Sequence, residues 1–162
     1  MSLMRVKEYF KKYGIQDRIL EFDKSSATVM DAAKAIGCDE CLIAKTLSFF
    51  IADKPILIVT AGNMKIDNRK FKDTFNCKAK MIPSDIVEEY VGHAVGGVCP
   101  FAINENVKVY LDESLRNYDY VYPACGSSNS AIKLTISELE KYSNCIGFVD
   151  VCKKIEIKVL VL

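Results

Sequence analysis

The side chains in this chain that could do chemistry are few, and the first is a lysine in the wrong company. Lys45 stands third in Ile43–Ile51 (Ile-Ala-Lys-Thr-Leu-Ser-Phe-Phe-Ile), a run that reads as a strand with alternate side chains on opposite faces. One face collects Ile43, Lys45, Leu47, Phe49 and Ile51; the other collects Ala44, Thr46, Ser48 and Phe50. The face without the lysine is expected to be the wetter one. An ammonium in an apolar row has a partner, lines a cavity, or snorkels to water along its stem. The rarity of buried lysine favours the snorkel on periodicity alone.

Two loops carry the next signals. Gly92, Gly96 and Gly97 fall within six residues and lead into Cys99-Pro100-Phe101, a backbone set in conformations other residues resist. Glycines there would also let backbone N–H groups approach a ligand. Pro123 to Ser130 is a second bend of small residues, with Gly126 and Ser127 at its centre. Cys38-Asp-Glu-Cys41 has the spacing of a redox pair or half a zinc site, but the sequence has no second such pair and a single histidine, so free thiols are expected. That histidine, His93, lies six residues before Cys99 and could activate it, although no third orienting group is evident.

The bulk properties restrict the setting. The 162 residues suit one domain with a proper core; half are apolar, and 22 basic against 21 acidic residues give a net charge of +1. A duplex-binding protein carries a clear basic excess, so DNA is not expected, and any nucleic acid would be met by a local patch or through its end. No run reaches the 18 or so apolar residues of a membrane span, and no secretory leader is evident. With seven scattered cysteines, these features point to a reducing cytoplasm.

The elements that must position these residues can be read from the pattern. Helices are expected over 4–13, over 29–36 between Thr28 and Gly37, from near Asp67 to Phe75, from Pro83 to about Val91, and from Thr135 to Lys141. Besides Ile43–Ile51, strands are expected at 18–22, 55–59, 78–81, 107–111, 118–122, 131–134 and 145–151. Tyr118, Tyr120 and Tyr122 share one face of their strand, as a packing stripe or a stacking surface for a base. Met1-Ser2-Leu3, ahead of a second methionine, is set aside as a possible cloning scar. The interleaving fits an α+β (mixed α/β) single domain, with a curved, barrel-like mixed sheet flanked by helices.

Four stretches in order make the chain similar to the YbaK/EbsC family, relatives of the editing domain of bacterial prolyl-tRNA synthetases. They are Thr28 to Leu47 with its Lys-Thr-Leu; Ala61-Gly62-Asn63 with Ile66-Asp67; Gly92 to Phe101 with Gly-Gly-Val-Cys-Pro-Phe; and Ala124 to Ser127 with Ile132 to Thr135 behind it. The resemblance implies a domain over 4–152 and leaves 153–162 as an apolar tail, a further strand or an association surface. It implies a trans-editing deacylase that hydrolyses the ester of a mischarged tRNA, Cys- or Ala-tRNA(Pro), with no metal and no cofactor. The aminoacyl-tRNA acceptor end is then the substrate, and prolyl-tRNA synthetase a further partner. On this resemblance Lys45 is the catalytic anchor. Substrate binding falls to Thr46, Gly96, Gly97, Gly126 and Ser127, with Cys99, Pro100 and Phe101 shaping the pocket. Cys125 departs from the small residues usual in the family. The alternatives are a non-catalytic tRNA- or synthetase-binding module of the same fold, and a thiol enzyme centred on Cys99 or on Cys38 and Cys41.

Overall fold

The computed structural model describes residues 2–156. Helix α1 (Ser2–Lys11) buries Val6 and Phe10, and Leu3 packs partly against the same core. Ser2 and Leu3 thus belong to the helix and its packing. Arg5 of this helix donates to the carbonyls of Gly92 at 3.0 Å and Ala102 at 2.8 Å, tying both ends of the glycine-rich loop to α1.

After β1 (Ile19–Glu21), the expected α2 (Val29–Ile36) forms with the expected bounds. The Thr28 hydroxyl accepts the Asp31 N–H at 3.1 Å, and Gly37 ends the helix in the left-handed conformation, where a Cβ would be strained. β2 (Ile43–Ile51) also has the expected bounds and turns back as β3 (Lys54–Ala61). Ala52 and Asp53 both take positive φ, the geometry that matches hairpin twist. β4 (Met64–Ile66) forms where no strand was expected, and Asp67 then caps α3 (Asn68–Phe75).

Several expected elements are shorter or split. Residues 78–81 form a single bridge, Met81 to Phe49, rather than a strand. The helix after Pro83 tightens into a turn first and becomes α4 (Val87–Val91). β5 (Lys108–Asp112) is followed by a 3-10 turn over Glu113–Asn117, so Tyr118 precedes β6 (Tyr120–Pro123) rather than lying in it. The strand expected at 131–134 divides at Lys133, because β7 (Ser130–Ile132) pairs with β1 and β8 (Leu134–Thr135) pairs with β6. α5 (Ile136–Ser143) starts on a full capping box between Thr135 and Glu138. β9 (Gly147–Val149) ends early, where the Val151 N–H turns to the Asp112 carboxylate at 3.0 Å. β10 (Cys152–Lys154) pairs with β4, so Lys153 and Lys154, counted above with the tail, continue the fold. Residues 157–162 of that tail lie outside the described residues.

The result is a single α+β domain. Its mixed sheet, in the order β8-β6-β2-β3-β5-β9, curls into a half-barrel, with small pairs β1–β7 and β4–β10 at its margins. β2 is central, antiparallel to β3 along its length but parallel to β6 only at Ile43 and Ala44. Both of its faces are covered. Ala44 and Phe50 pack against the main core with α1 and Phe101. Leu47, Phe49 and Ile51 pack on Phe71 and Val151, while Ile43 packs on Ala32 and Ala33 of α2. The expectation of a wetter face on β2 is thus overturned, because α3 and β10 close one side and the main core the other.

Candidate active site

The partial pairing of β2 opens a gap in the sheet. On its outer edge, β6 leaves after Ala44, and residues 80–82 join only at the far end: Phe50 N–H donates to the Lys80 carbonyl at 2.9 Å and Ile82 N–H to the Ser48 carbonyl at 3.1 Å. A cavity of about 420 Å³ lies at this gap, a volume ordinary for a small-molecule site. Its walls are Ser26, Ala27, Thr28, Val29 and Ala32 from α2 and the segment before it; Ile43 to Ser48 of β2; Met81, Ile82, Ser84 and Val87; Val95, Gly96 and Val98 of the glycine loop; and Tyr122, Ala124, Ser130 and Ala131. Met81 and Val95 are exposed apolar side chains on this lining.

Among the described residues Lys45 is the one charged residue on that lining. It is half-buried, and burial pulls its pKa below the ordinary lysine value. Its cross-strand neighbour is Thr60, fully buried, whose hydroxyl meets that of Ser114 at 3.1 Å. Asp112, also buried, is taken up by the N–H groups of Ser114 and Val151. Among the described residues no carboxylate forms an ion pair with Lys45. The lysine thus lines a cavity as an uncompensated cation, the costlier of the outcomes its sequence position allows.

Of the other residues named from sequence, Thr46 and Gly96 line the cavity with Lys45. Gly97 does not: a Cβ there would stand 2.7 Å from the Gly126 carbonyl carbon and the Ser127 nitrogen, so its bareness lets the two small-residue loops interlock. Gly126 has φ +90° and no room on its other side, where a Cβ would meet the Ser2 carbonyl oxygen at 2.8 Å. Its close approach is therefore to α1. Ser127 donates to Asn129 Oδ1 at 3.0 Å and lies 2.6 Å from the hydroxyl of Ser130, which is on the lining. Pro100 is buried behind the loop, and Cys99 and Phe101 have no exposed surface; all three are off the lining.

Cys99 and His93 do meet, but not as a catalytic pair. His93 Nε2 is 2.6 Å from the Phe101 carbonyl, which can only accept, so that nitrogen carries the proton. The Cys99 sulfur lies 3.5 Å from the same nitrogen, which has no lone pair left to take a thiol proton. Burial pushes the thiol up to about 12 and pulls the imidazole down. All seven cysteines are free thiols, and burial also raises Cys38 above the usual range. Among the described residues no three His, Cys, Asp or Glu side chains converge as a metal site.

Sequence reasoning missed much of the lining. Ser26, Ala27, Ser84 and Ala131 lie outside the stretches singled out as signals, and Ala32, Ala44, Ser48, Ala124 and Ser130 lie inside them without having been given a part in the site. Tyr122 was seen only as part of a stripe. It lies on the wall, its ring 5.9 Å from that of Tyr120, and Lys133 covers Tyr120 at 4.0 Å.

Comparison with known proteins places this geometry in context. The profile of the aminoacyl-tRNA editing domain matches residues 23–142. The uncharacterised protein YwhH of Bacillus subtilis (strain 168) is 48% identical over 154 residues, 94% of this chain and 98% of that protein. A protein of Enterococcus faecalis (strain ATCC 700802 / V583), provisionally named Cys-tRNA(Pro)/Cys-tRNA(Cys) deacylase EbsC, is 26% identical over 69% of this chain and 70% of its own length. A crystal structure provisionally described as a trans-editing enzyme for prolyl tRNA synthetase superposes with a TM-score of 0.84 at 27% identity, covering 94% of this chain and 97% of that one.

Proposed function

The chain belongs to the aminoacyl-tRNA editing domain family, and on that premise we propose that it is a trans-editing deacylase acting on mischarged tRNA, Cys- or Ala-tRNA(Pro). The observation that carries this reading is a cavity whose one charged group, among the described residues, is the Lys45 ammonium without a carboxylate partner, and whose described lining holds no Asp, Glu, His or Cys. Such a site suits an ester that is already activated. Hydrolysis then needs positioning and charge stabilisation more than a strong base.

In this reaction water adds to the ester carbonyl, the carbonyl oxygen becomes an oxyanion, and the bond to the terminal ribose oxygen breaks. The water's proton ends on that ribose oxygen, releasing tRNA and a free amino acid. Lys45 contributes its charge to the developing oxyanion or to the neighbouring phosphate. The alanine walls and the Ile82, Val87 and Val98 side chains exclude bulk water and limit the aminoacyl group to a small one. A synthetase pocket gains only about 1–3 kcal/mol per methylene, so a second, smaller site is the economical remedy for small wrong amino acids. The acceptor end of the tRNA is the partner this requires, with prolyl-tRNA synthetase as the protein that supplies it.

The test is a deacylation panel of alanyl-, cysteinyl-, seryl- and prolyl-tRNA for proline. We expect the small wrong esters to be cleaved and prolyl-tRNA spared. Binding of tRNA without cleavage of any member would replace this reading with a non-catalytic module of the same fold.

A further inference from the structure

The gap in the sheet has a definite length. In β2 the residues paired with the last turn of the hairpin, Ile51 with Lys54, are the odd-numbered ones that point N–H and C=O at β3. The even-numbered residues therefore point theirs outward, as the bonds of Ser48 and Phe50 to residues 80–82 and the pairing of Ala44 with Pro123 bear out. Thr46 lies between these two anchored ends. Among the described residues neither its N–H nor its C=O has a partner, and its buried hydroxyl oxygen has none either. All three belong to a residue that lines the cavity. A strand residue left bare on both its donor and its acceptor is rare inside a protein, where such groups are almost always satisfied.

We propose that Thr46 is the residue on which the aminoacyl group docks, as a one-residue strand paired to the free edge of β2. This rests on the deacylase reading and supplies the contact that orients the ester. The α-ammonium donates to the Thr46 carbonyl, and the ester carbonyl oxygen accepts the Thr46 N–H, the two bonds exchanged by a hydrogen-bonded antiparallel pair. The fit is to a single residue, because β6 takes the Ala44 side and residues 80–82 arrive at the other, where the Ile82 N–H holds the Ser48 carbonyl. A peptide strand cannot enter; one aminoacyl unit can. In such a pair the two side chains lie on the same face, so the substrate side chain falls beside Thr46, over Ala44 and Ser48. As water adds, the carbonyl oxygen gains charge while held by the Thr46 N–H, so the same bond serves the transition state.

The experiment replaces the peptide bond before Thr46 with an ester by incorporating the α-hydroxy analogue of threonine. This deletes one N–H, keeps every side chain, and leaves the Lys45 carbonyl, which faces β3, a weaker acceptor. Because the Thr46 N–H makes no bond in the folded protein, the melting temperature should fall only by the small loss at that carbonyl, while deacylation of alanyl-tRNA(Pro) should fall about 10²-fold. On the substrate side, 3′-(propionylamino)-3′-deoxyadenosine should bind at least about tenfold more weakly than its alanylamino counterpart, for want of the ammonium. Wild-type rates in the ester variant with equal binding of the two analogues would overturn the proposal. If the parent binds the alanylamino analogue preferentially yet cleaves no aminoacyl-tRNA, the deacylase reading falls and the docking edge stands.

Discussion

Two regions of this molecule hold reactive side chains, and they differ in what surrounds them. Around His93 and Cys99 the groups are fully buried and closed off from any cavity wall described above: the imidazole proton goes to the Phe101 carbonyl, the thiol lies against the same pair, and His93 Nδ1 has no partner among the described residues. Around Lys45 and Thr46 the groups belong to residues that line a cavity, and among the described residues Lys45 has no ion pair and the Thr46 hydroxyl no hydrogen-bond partner. The first region has the residue types of a cysteine hydrolase and the environment of a core. The second has a lysine and a threonine in a strand, and the environment of a site. Residue type names a possible chemistry; access and an unspent bonding capacity decide whether it can occur.

The largest expected effect separates the regions directly. Lys45→Met keeps the apolar stem and removes an uncompensated charge, so deacylation should fall about 10²–10³-fold while thermal stability holds or rises. Single-turnover rates and a melting curve measure both; a well-folded Lys45→Met protein with parental rates would return the lysine to a packing role. Lys45→Arg should restore only part of the rate, since a planar fork is a poor substitute for a compact point charge. The pH profile follows from the lowered pKa of Lys45. The ammonium is lost as pH rises through a value below that of free lysine, so the rate should decline on the alkaline side, and Lys45→Arg should move that decline upward. Because the folded value is depressed, protonation favours the unfolded chain, and this group's penalty on stability eases as pH rises through its folded value.

Gly97→Ala probes the seam joining the regions. A Cβ 2.7 Å from the Gly126–Ser127 peptide forces the two loops apart. A loss of about 1–3 kcal/mol in stability is expected, with kcat/KM reduced through a raised KM as the wall at Gly96 and Ser130 shifts. Urea melts and steady-state kinetics distinguish this from a purely catalytic defect.

In the buried region the effect should fall on stability alone. His93→Ala leaves the buried Phe101 carbonyl without its donor, costing about 1–3 kcal/mol, while kcat per folded molecule stays near that of the parent. A kcat that collapses in the folded His93→Ala protein would give the histidine a catalytic part and erase the contrast. The smallest effect is expected for Cys38→Ser combined with Cys41→Ser. Activity should remain within about twofold, with no stoichiometric zinc by elemental analysis of the parent.

Much of this was legible in the chain itself. The bounds of β2 and α2, the Thr28 and Thr135 caps, the hairpin after Ile51 and the oddity of Lys45 all follow from local rules, in which a residue's neighbours in sequence are its neighbours in space. So does the small-residue character of the loops at 92–102 and 123–130, which carries the family resemblance. Tertiary structure decided what those signals are for. Gly97 and Gly126 are bare because other backbone passes them, Cys99 and Phe101 are core because α1 and α5 close over them, and Ser2 belongs to a helix that Arg5 fastens to the glycine loop. The free edge at Thr46 is invisible to any local rule. It exists because β6 departs after Ala44 and residues 80–82 arrive only at Ser48, and the pairing of a strand is set by segments far away in the sequence.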